Sequence, residues 1–178
     1  MNHISADIII IGGGAAGLMA AAGAARTLSS GKDDARIIVL EKMPRPGRKI
    51  MITGKGRCNF TNLKNWNEFS EHVHPKPGFL KPSFYNLTSE KMIDYLADVG
   101  MESVVERGDR AFPASHLASD VVDALVRAAQ KAGAEILCNK EVETICAGDS
   151  HVADAQDDVK TFHNDFKTNI PGQNSQEF

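Results

Sequence analysis

Cysteine is scarce in this chain, and the positions of its cysteines exclude the sites that cysteine usually builds. The 178 residues include 3 cysteines, Cys58, Cys138 and Cys146, and none belongs to a CxxC or a short Cys-x-His pattern. An odd, dispersed set argues against a disulfide framework and a structural zinc site, and a reducing compartment is expected. His72 and His74 have no cluster of carboxylates or cysteines close by, so we predict no metal site.

Aromatic residues, excess charge and long hydrophobic runs are lacking as well. Aromatic residues make up 6% of the chain and the formal net charge is -3, so bulk charge does not indicate a nucleic-acid-binding protein. The apolar stretches near Ile11 and Leu18 are interrupted by glycines and are too short for a membrane span. We expect a cytoplasmic globular protein with one core, which has neither nucleic acid nor a membrane as partner. Its oligomeric state has no signal in the sequence.

What is present, at the N-terminus, is a strand, a helix and a second strand in close succession. Residues 7–11 are a β-branched run ended by glycines, which is typical of a central parallel strand covered on both faces. Ala15–Leu28 is rich in small side chains and predicts a helix packed closely on a sheet, and residues 36–40 predict the second strand. So short a succession indicates a right-handed βαβ unit with a parallel sheet.

The remaining chain predicts further elements around this unit. Residues 43–82 are polar and rich in Gly and Pro, which predicts a long loop, and residues 87–99 have helical spacing. A second clear helix, capped by Ser119 or Asp120, ends before Gly133. Short strands are predicted at 102–106, 134–138 and 141–146. We expect one domain over residues 1–146 and a polar tail over 147–178.

A glycine motif stands between the first strand and the helix. Gly12, Gly14 and Gly17 fit GxGxxG, with Ala15 and Ala16 at the helix opening. The first glycine permits a tight turn, the second lets the backbone approach a pyrophosphate, and the third lets the helix sit close to the strands. The free N–H groups of the helix N-terminus favour a phosphate there.

An acidic residue completes this pattern at the end of the second strand. Glu41 follows the strand directly, where a carboxylate can accept hydrogen bonds from both ribose hydroxyls of an adenosine. A solvated charge at a strand end is the alternative interpretation. NAD and FAD both satisfy such a unit, and S-adenosylmethionine is a weaker competitor.

A basic, glycine-rich loop follows over residues 46–62. It combines flexibility, positive charge and amide donors, so it can run along an extended dinucleotide and offer N–H groups to phosphate and ring oxygens. The alternatives are a solvated basic loop and an RNA contact. RNA is disfavoured because no aromatic residues alternate with the basic ones.

Three segments, IIIIGGGAAGLMAA, VLEKMPRPGRKIMITGKGRCNFTN and DRAFPASHLASDVVDALVRAAQKAGAEI, carry a family resemblance. The chain resembles the N-terminal part of a bacterial family of FAD-dependent NAD(P) oxidoreductases, of the aminoacetone-oxidase and bile-acid-dehydro-reductase type. The resemblance implies an α/β fold, namely a Rossmann-like three-layer FAD/NAD(P)-binding domain, here incomplete. It also implies hydride transfer from NAD(P)H through FAD to an unsaturated or carbonyl compound.

The resemblance also implies which residues bind FAD. The glycine motif would contact the pyrophosphate, Glu41 the adenosine ribose, the stretch 48–59 the rest of FAD, and Val142 the adenine through its backbone. Phe112 and Pro113 would approach the flavin. The implied cofactor-binding residues are Gly12, Gly14, Ala15, Ala16, Gly17, Glu41, Lys42, Arg48, Lys49, Gly54, Arg57, Cys58, Asn59 and Val142.

No catalytic residue is predicted, because a flavin itself carries the hydride. Cys58 would be redox-active only if Arg57 lowered its pKa. Family members are longer than this chain, which lacks most of the substrate domain, so we expect an N-terminal fragment of such an enzyme. The alternative is a non-catalytic dinucleotide-binding remnant.

Overall fold

The computed structural model describes residues 4–28 and 35–145, which form two small sheets and six helices. The strands are β1 (Ile8–Ile11), β2 (Ile37–Leu40), β3 (Thr61–Asn62), β4 (Ser103–Glu106), β5 (Arg110–Pro113) and β6 (Ala134–Leu137). The helices are α1 (Ala15–Leu28), α2 (Arg48–Met51), α3 (Trp66–Ser70), α4 (Lys81–Asn86), α5 (Ser89–Ala97) and α6 (Ala118–Lys131). Single 3₁₀ turns cover Thr53–Gly56 and Pro77–Leu80.

The first sheet is parallel and has the order β1-β2-β6. Ile9 pairs with Ile38, and Ile38 pairs with Glu135 on the other side. The predicted βαβ unit is confirmed, because β1 and β2 are parallel neighbours joined by α1. All residues of β2 are buried, as expected for a strand with neighbours on both sides.

The main core lies between this sheet and two helices. Leu18 and Ala21 of α1 meet Leu125 of α6 over the sheet face that carries Val39, and all of these side chains are buried. Small residues on α1 let the helix approach the strands closely, as the sequence predicts. The two helices therefore fix the position of the turn from which α1 begins.

The second sheet is antiparallel, with the order β3-β5-β4. Its strand β5 is buried at Ala111 and Phe112, while Arg110 is exposed. Helices α3 and α4 lie in the segment between β3 and α5, and hydrogen bonds connect the two ends of this segment. There Thr61 donates a hydrogen bond to the Ser89 hydroxyl (3.1 Å), which in turn donates to the Asn62 carbonyl (2.5 Å).

Three sequence predictions are corrected by the structure. Residues 43–82 are not one long loop, because α2, β3, α3 and α4 interrupt them. Residues 141–145 form no strand, since Val142 and its neighbours have no strand partner within the described chain, and residue 146 lies outside it. The last long helix begins at Ala118 with Leu117 as its N-cap, because the Ser119 hydroxyl donates to Asp120 within the first turn rather than capping the helix.

The position of β1 is also corrected. The sequence predicts a central strand covered on both faces, but among residues 4–28 and 35–145 β1 lies at the edge of the parallel sheet and Ile11 is 51% exposed. β2 is the central strand instead. Strand order follows from the path of the later connections, which bring β6 beside β2, and a hydrophobic run does not encode that order.

The other helices and strands agree with the predictions to within two residues at most boundaries. The helix predicted at 87–99 is α5, which Thr88 caps by accepting a hydrogen bond from the Lys91 N–H. The strands predicted at 102–106 and 134–138 are β4 and β6. The tail at 147–178 lies outside the described residues. Within the described chain, no helix has the length and apolar character needed to cross a bilayer.

Gly17 is expected to be essential for the close approach of α1 to β1. A Cβ at Gly17 would lie 2.0 Å from the Gly12 carbonyl oxygen, so Gly17→Ala forces a backbone shift. We expect its free energy of unfolding to fall by about 1–3 kcal/mol in urea titrations followed by circular dichroism. Gly23→Ala, in open space on the same helix, is the control and should stabilise by about 1 kcal/mol. Equal midpoints for Gly17→Ala and wild type would contradict the packing.

Candidate functional site

The glycine turn leaves the N-terminus of α1, which carries a partial positive charge, exposed to solvent. The Gly12 N–H donates to the Leu40 carbonyl (2.8 Å), and Gly12 has a φ of 99°, a conformation that glycine adopts without strain. Gly14, Ala15 and Ala16 are exposed, and the first turn of α1 has no acidic residue. The unpaired N–H groups and the dipole of this helix end therefore favour an anion at the turn.

Gly14 is the residue of the turn that leaves room for a ligand. A Cβ built on it would meet no atom within 4 Å, so no described residue requires glycine at this position. Gly17 differs, because the turn itself crowds it. The open space beside Gly14 is therefore the kind of cradle that a pyrophosphate would occupy and a side chain would fill.

Glu41 is bonded to this turn. One carboxylate oxygen accepts a hydrogen bond from the Gly13 N–H (2.7 Å) and the other from the Met43 N–H (2.8 Å). The side chain is half-buried, and each oxygen keeps a second lone pair for a further donor. Glu41 thus braces the glycine turn and can still accept a hydrogen bond from a ribose hydroxyl.

Gly13 and Gly47, which lie in the predicted glycine turn and loop but not among the predicted cofactor-binding residues, hold the site together. The Gly47 N–H donates to the Gly13 carbonyl (2.8 Å). A Cβ at Gly13 would lie 2.9 Å from Cβ of Pro46, and one at Gly47 would lie 2.5 Å from a methyl group of Val122 on α6. Gly47 also has a φ of 73°. In the sequence, the Pro46-Gly47 pair directly before the short helix α2 indicates a tight turn at this position.

The chain beyond β6 joins the same edge of the sheet. The Lys140 N–H donates to the Glu41 carbonyl (2.9 Å), and the side chains of Lys42 and Glu141 form an exposed ion pair (3.7 Å). Val142 follows and is half-buried. The carboxyl ends of β1, β2 and β6 therefore come together here, where open α/β sheets bind their ligands. The contact of Val142 with adenine stays a prediction.

The first half of the basic loop lies on the surface beside the turn. Arg48 and Lys49 are exposed in α2, and the Arg48 guanidinium lies 3.7 Å from the Met43 sulfur. Gly54 and Lys55 both have left-handed backbone conformations, with φ of 55° and 57°. These residues are free to face a ligand.

The second half of the loop is attached to the antiparallel sheet. Arg57 forms an ion pair with Glu106 and its guanidinium lies 4.4 Å from the centroid of the Phe112 ring. With its amide nitrogen turned inward, Asn59 donates to the carbonyls of Ala111 (3.1 Å) and Thr61 (2.8 Å). Arg57 and Asn59 therefore anchor the loop, and a direct contact of either residue with FAD remains a prediction.

The thiols near the site are not activated. Burial raises the pKa of the Cys58 thiol, an effect that a hydrogen bond with Thr53 only partly offsets. Burial also raises the pKa of Cys138, and the nearby Glu41 carboxylate adds to this effect. The condition that Arg57 lower the pKa of Cys58 is thus not met. Among the described residues, no group of three or more His, Cys, Asp or Glu side chains is arranged to hold a metal ion.

Comparisons with known proteins match most of the chain. The family described as HI0933-like protein Rossmann domain matches residues 6–167. The chain is 31% identical over 116 residues to the ribosomal RNA dihydrouridine synthase of Escherichia coli (strain K12), covering 65% of this chain and 28% of that protein. It is 32% identical over 122 residues to the 3-dehydro-bile acid delta(4,6)-reductase of Clostridium scindens, covering 68% of this chain and 29% of that protein.

A solved structure shows the same fold. The 3-ketosteroid-delta4-(5alpha)-dehydrogenase from Rhodococcus jostii RHA1, in complex with 4-androstene-3,17-dione, superimposes with a TM-score of 0.56 at 16% identity. The match covers 82% of this chain and 40% of that chain. Together these findings confirm the Rossmann-like α/β fold class and the resemblance to a family of FAD-binding oxidoreductases. The chain spans 28% and 29% of the lengths of the two curated relatives.

Cys58 is expected to react slowly with alkylating reagents. A raised pKa leaves less thiolate at any pH near neutrality, and each unit of increase in pKa lowers the thiolate fraction about tenfold. Iodoacetamide should therefore modify Cys58 more slowly in the folded chain than in urea at the same pH, as measured by mass spectrometry. The rate for the folded chain should still rise above pH 9.0, the ordinary pKa of a thiol. Equal alkylation rates of Cys58 in the folded and unfolded chain would show that the thiol is not buried and that its pKa is not raised.

Proposed function

Because the chain belongs to the HI0933-like family, we propose that it binds FAD and serves the flavin-dependent reduction of a carbon–carbon double bond. The observation that carries the proposal is the open cradle beside Gly14, at the N-terminus of α1 and next to Glu41. A dinucleotide needs a backbone that it can approach, a positive helix end and a ribose acceptor. All three occur here within one edge of the sheet.

The residues around the cradle divide the binding of FAD between them. Gly12, Gly14 and the first N–H groups of α1 would hold the pyrophosphate, and Glu41 would accept a hydrogen bond from the adenosine ribose. Arg48 and Lys49 are exposed beside the turn and would add positive charge along the dinucleotide. When bound, FAD would supply the hydride transfer. NAD(P)H is the proposed electron donor.

The substrate class is argued from what the relatives have in common. By their names, one relative forms dihydrouridine in ribosomal RNA and another reduces double bonds of a 3-dehydro bile acid. Uracil and a 3-oxo-4-ene steroid share a double bond conjugated to a carbonyl. We propose a small molecule with such a bond as substrate, to which a hydride and a proton add while NAD(P)H becomes NAD(P)⁺.

Nucleic acid is not part of this proposal. Two of the basic side chains in and before the loop are committed to ion pairs, Arg45 with Asp123 (2.8 Å) and Arg57 with Glu106. Pairing reduces the positive charge available for a phosphate backbone. A substrate smaller than RNA, held by the flavin site itself, therefore fits the basic loop better.

A second candidate function is dinucleotide binding without turnover. It is favoured by the cradle itself, because the open space beside Gly14 and the Glu41 carboxylate are contacts for a dinucleotide, which is all that binding without turnover requires. The two candidates have the same cradle and differ only in turnover.

Gly14→Val tests the cradle separately from folding. The branched side chain enters open space, so we expect unchanged thermal stability but more than about tenfold weaker FAD binding, a loss of more than about 1.4 kcal/mol. Quenching of flavin fluorescence on titration with the protein measures the affinity. Gly23→Ala on the same helix is the control and should bind like wild type. FAD binding by Gly14→Val equal to wild type would rule out the cradle as the pyrophosphate site.

Turnover is tested by anaerobic bleaching of the flavin absorbance. If the enzymatic proposal holds, the FAD-loaded chain is bleached by NADPH or NADH, and the colour returns on adding 4-androstene-3,17-dione, with the saturated product found by mass spectrometry. Bound FAD that neither reductant bleaches indicates the second candidate. Reoxidation by a uridine-containing RNA, but not by the enone, would overturn the proposed small-molecule substrate.

A further inference from the structure

A second polar cluster lies where the basic loop meets the antiparallel sheet. Arg57 sits at its centre, stacked on the Phe112 ring and paired with Glu106 of β4. The same guanidinium nitrogen lies 2.9 Å from Nδ1 of His116, which follows β5. His116 thus connects the basic loop to the segment that follows β5.

The contact with Arg57 fixes the tautomer of His116. A guanidinium carries only donors, so the imidazole nitrogen that faces it must be an acceptor without a proton. In a neutral imidazole the proton then resides on the other nitrogen, Nε2. Glu106 lies 3.7 Å from Nδ1 and has Arg57 as its ion-pair partner, so both charged side chains of the cluster face the same imidazole nitrogen.

The backbone holds this imidazole in a defined place. His116 has a left-handed conformation with a φ of 56°, and its N–H donates to the Pro113 carbonyl (2.8 Å). Non-glycine residues in this conformation are uncommon, and such strain gathers at functional sites. The His116 side chain is 43% exposed, and within residues 4–28 and 35–145 its Nε2 makes no hydrogen bond.

The His116 ring lies beside the same aromatic ring as the basic loop, with the Phe112 and His116 ring centroids 6.3 Å apart. A Cβ at Gly54 would lie 3.9 Å from the Phe112 ring, so the exposed 3₁₀ turn of the loop and the Arg57–His116 pair share this ring as their base. Charged groups facing the pair are Glu106 and, across the Phe112 ring at 5.9 Å from its centroid, Arg110.

We propose that His116 donates a hydrogen bond from Nε2–H to an oxygen of the FAD bound along this loop, with Arg57 as the positioning residue that fixes the tautomer. This inference rests on the proposed FAD binding. Both a phosphate oxygen and a ring carbonyl of FAD are acceptors of the required kind. His116 is thus a ligand-binding residue that neither the glycine motif nor the basic loop includes.

Two substitutions separate a donor at Nε2 from a merely structural role. The amide nitrogen of Gln reaches the position of Nε2, whereas the amide of Asn reaches only the position of Nδ1. His116→Asn can therefore still accept from Arg57 but loses the donor, and we expect it to bind FAD about 3- to 10-fold more weakly. His116→Gln should bind within about twofold of wild type, although the left-handed backbone favours Asn over Gln.

The measurement is the dissociation constant for FAD from fluorescence quenching, with thermal melting to verify folding. Loss in His116→Asn with retention in His116→Gln supports the proposal. Loss in His116→Gln with retention in His116→Asn would show that His116 only anchors Arg57, and it would overturn the proposal. Wild-type affinity in both variants, or an equal loss of affinity in both, would also overturn the proposal. Failure of the proposed function itself is seen separately, as absence of FAD binding by the wild-type chain.

The same variants identify the acceptor atom on the ligand. ADP carries the phosphates without the ring system, and riboflavin carries the ring system without phosphates. Weaker binding of ADP by His116→Asn places the acceptor on the pyrophosphate, and weaker binding of riboflavin places it on a ring carbonyl. Either result supports the donor role of His116.

Discussion

The hydrogen bonds between the Glu41 carboxylate and the backbone of Gly13 and Met43 hold the site together. Hydrogen bonds to a charged group contribute about 1.5–3 kcal/mol each, roughly twice as much as those between neutral groups. They tie the end of β2 to the turn before α1 and to the start of the following loop. The cradle beside Gly14 exists because these three segments are fixed relative to one another.

Close packing extends this constraint across the domain. Gly13 lies against Pro46, and Gly47 lies against Val122 of α6, so the turn, the loop and this core helix touch where no side chain fits. The basic loop then divides into two parts with different tasks. Arg48 and Lys49 stay exposed beside the turn, whereas Arg57 is bound to the antiparallel sheet.

Local pattern was a good guide where the interactions are local, and a poor one where they are not. The helix Ala15–Leu28 and the burial of β2 follow from composition and periodicity, which act within a few residues. The edge position of β1 within the described part of the sheet and the absence of a strand at 141–145 depend on which segments become neighbours. The residues 43–82 were misjudged because polar, glycine-rich sequence also forms short helices once its ends are anchored.

The sequence by itself determined the βαβ unit, the glycine turn and the acid at Glu41, because their order along the chain suffices to place them at one edge of a parallel sheet. Only the tertiary structure decided that Glu41 also braces Gly13, that Gly47 must be glycine beside Val122, and that Arg57 meets His116. These pairs are separated by 28, 75 and 59 residues. Contacts over such separations depend on how the two sheets and the helices pack, and no periodicity in the chain encodes them.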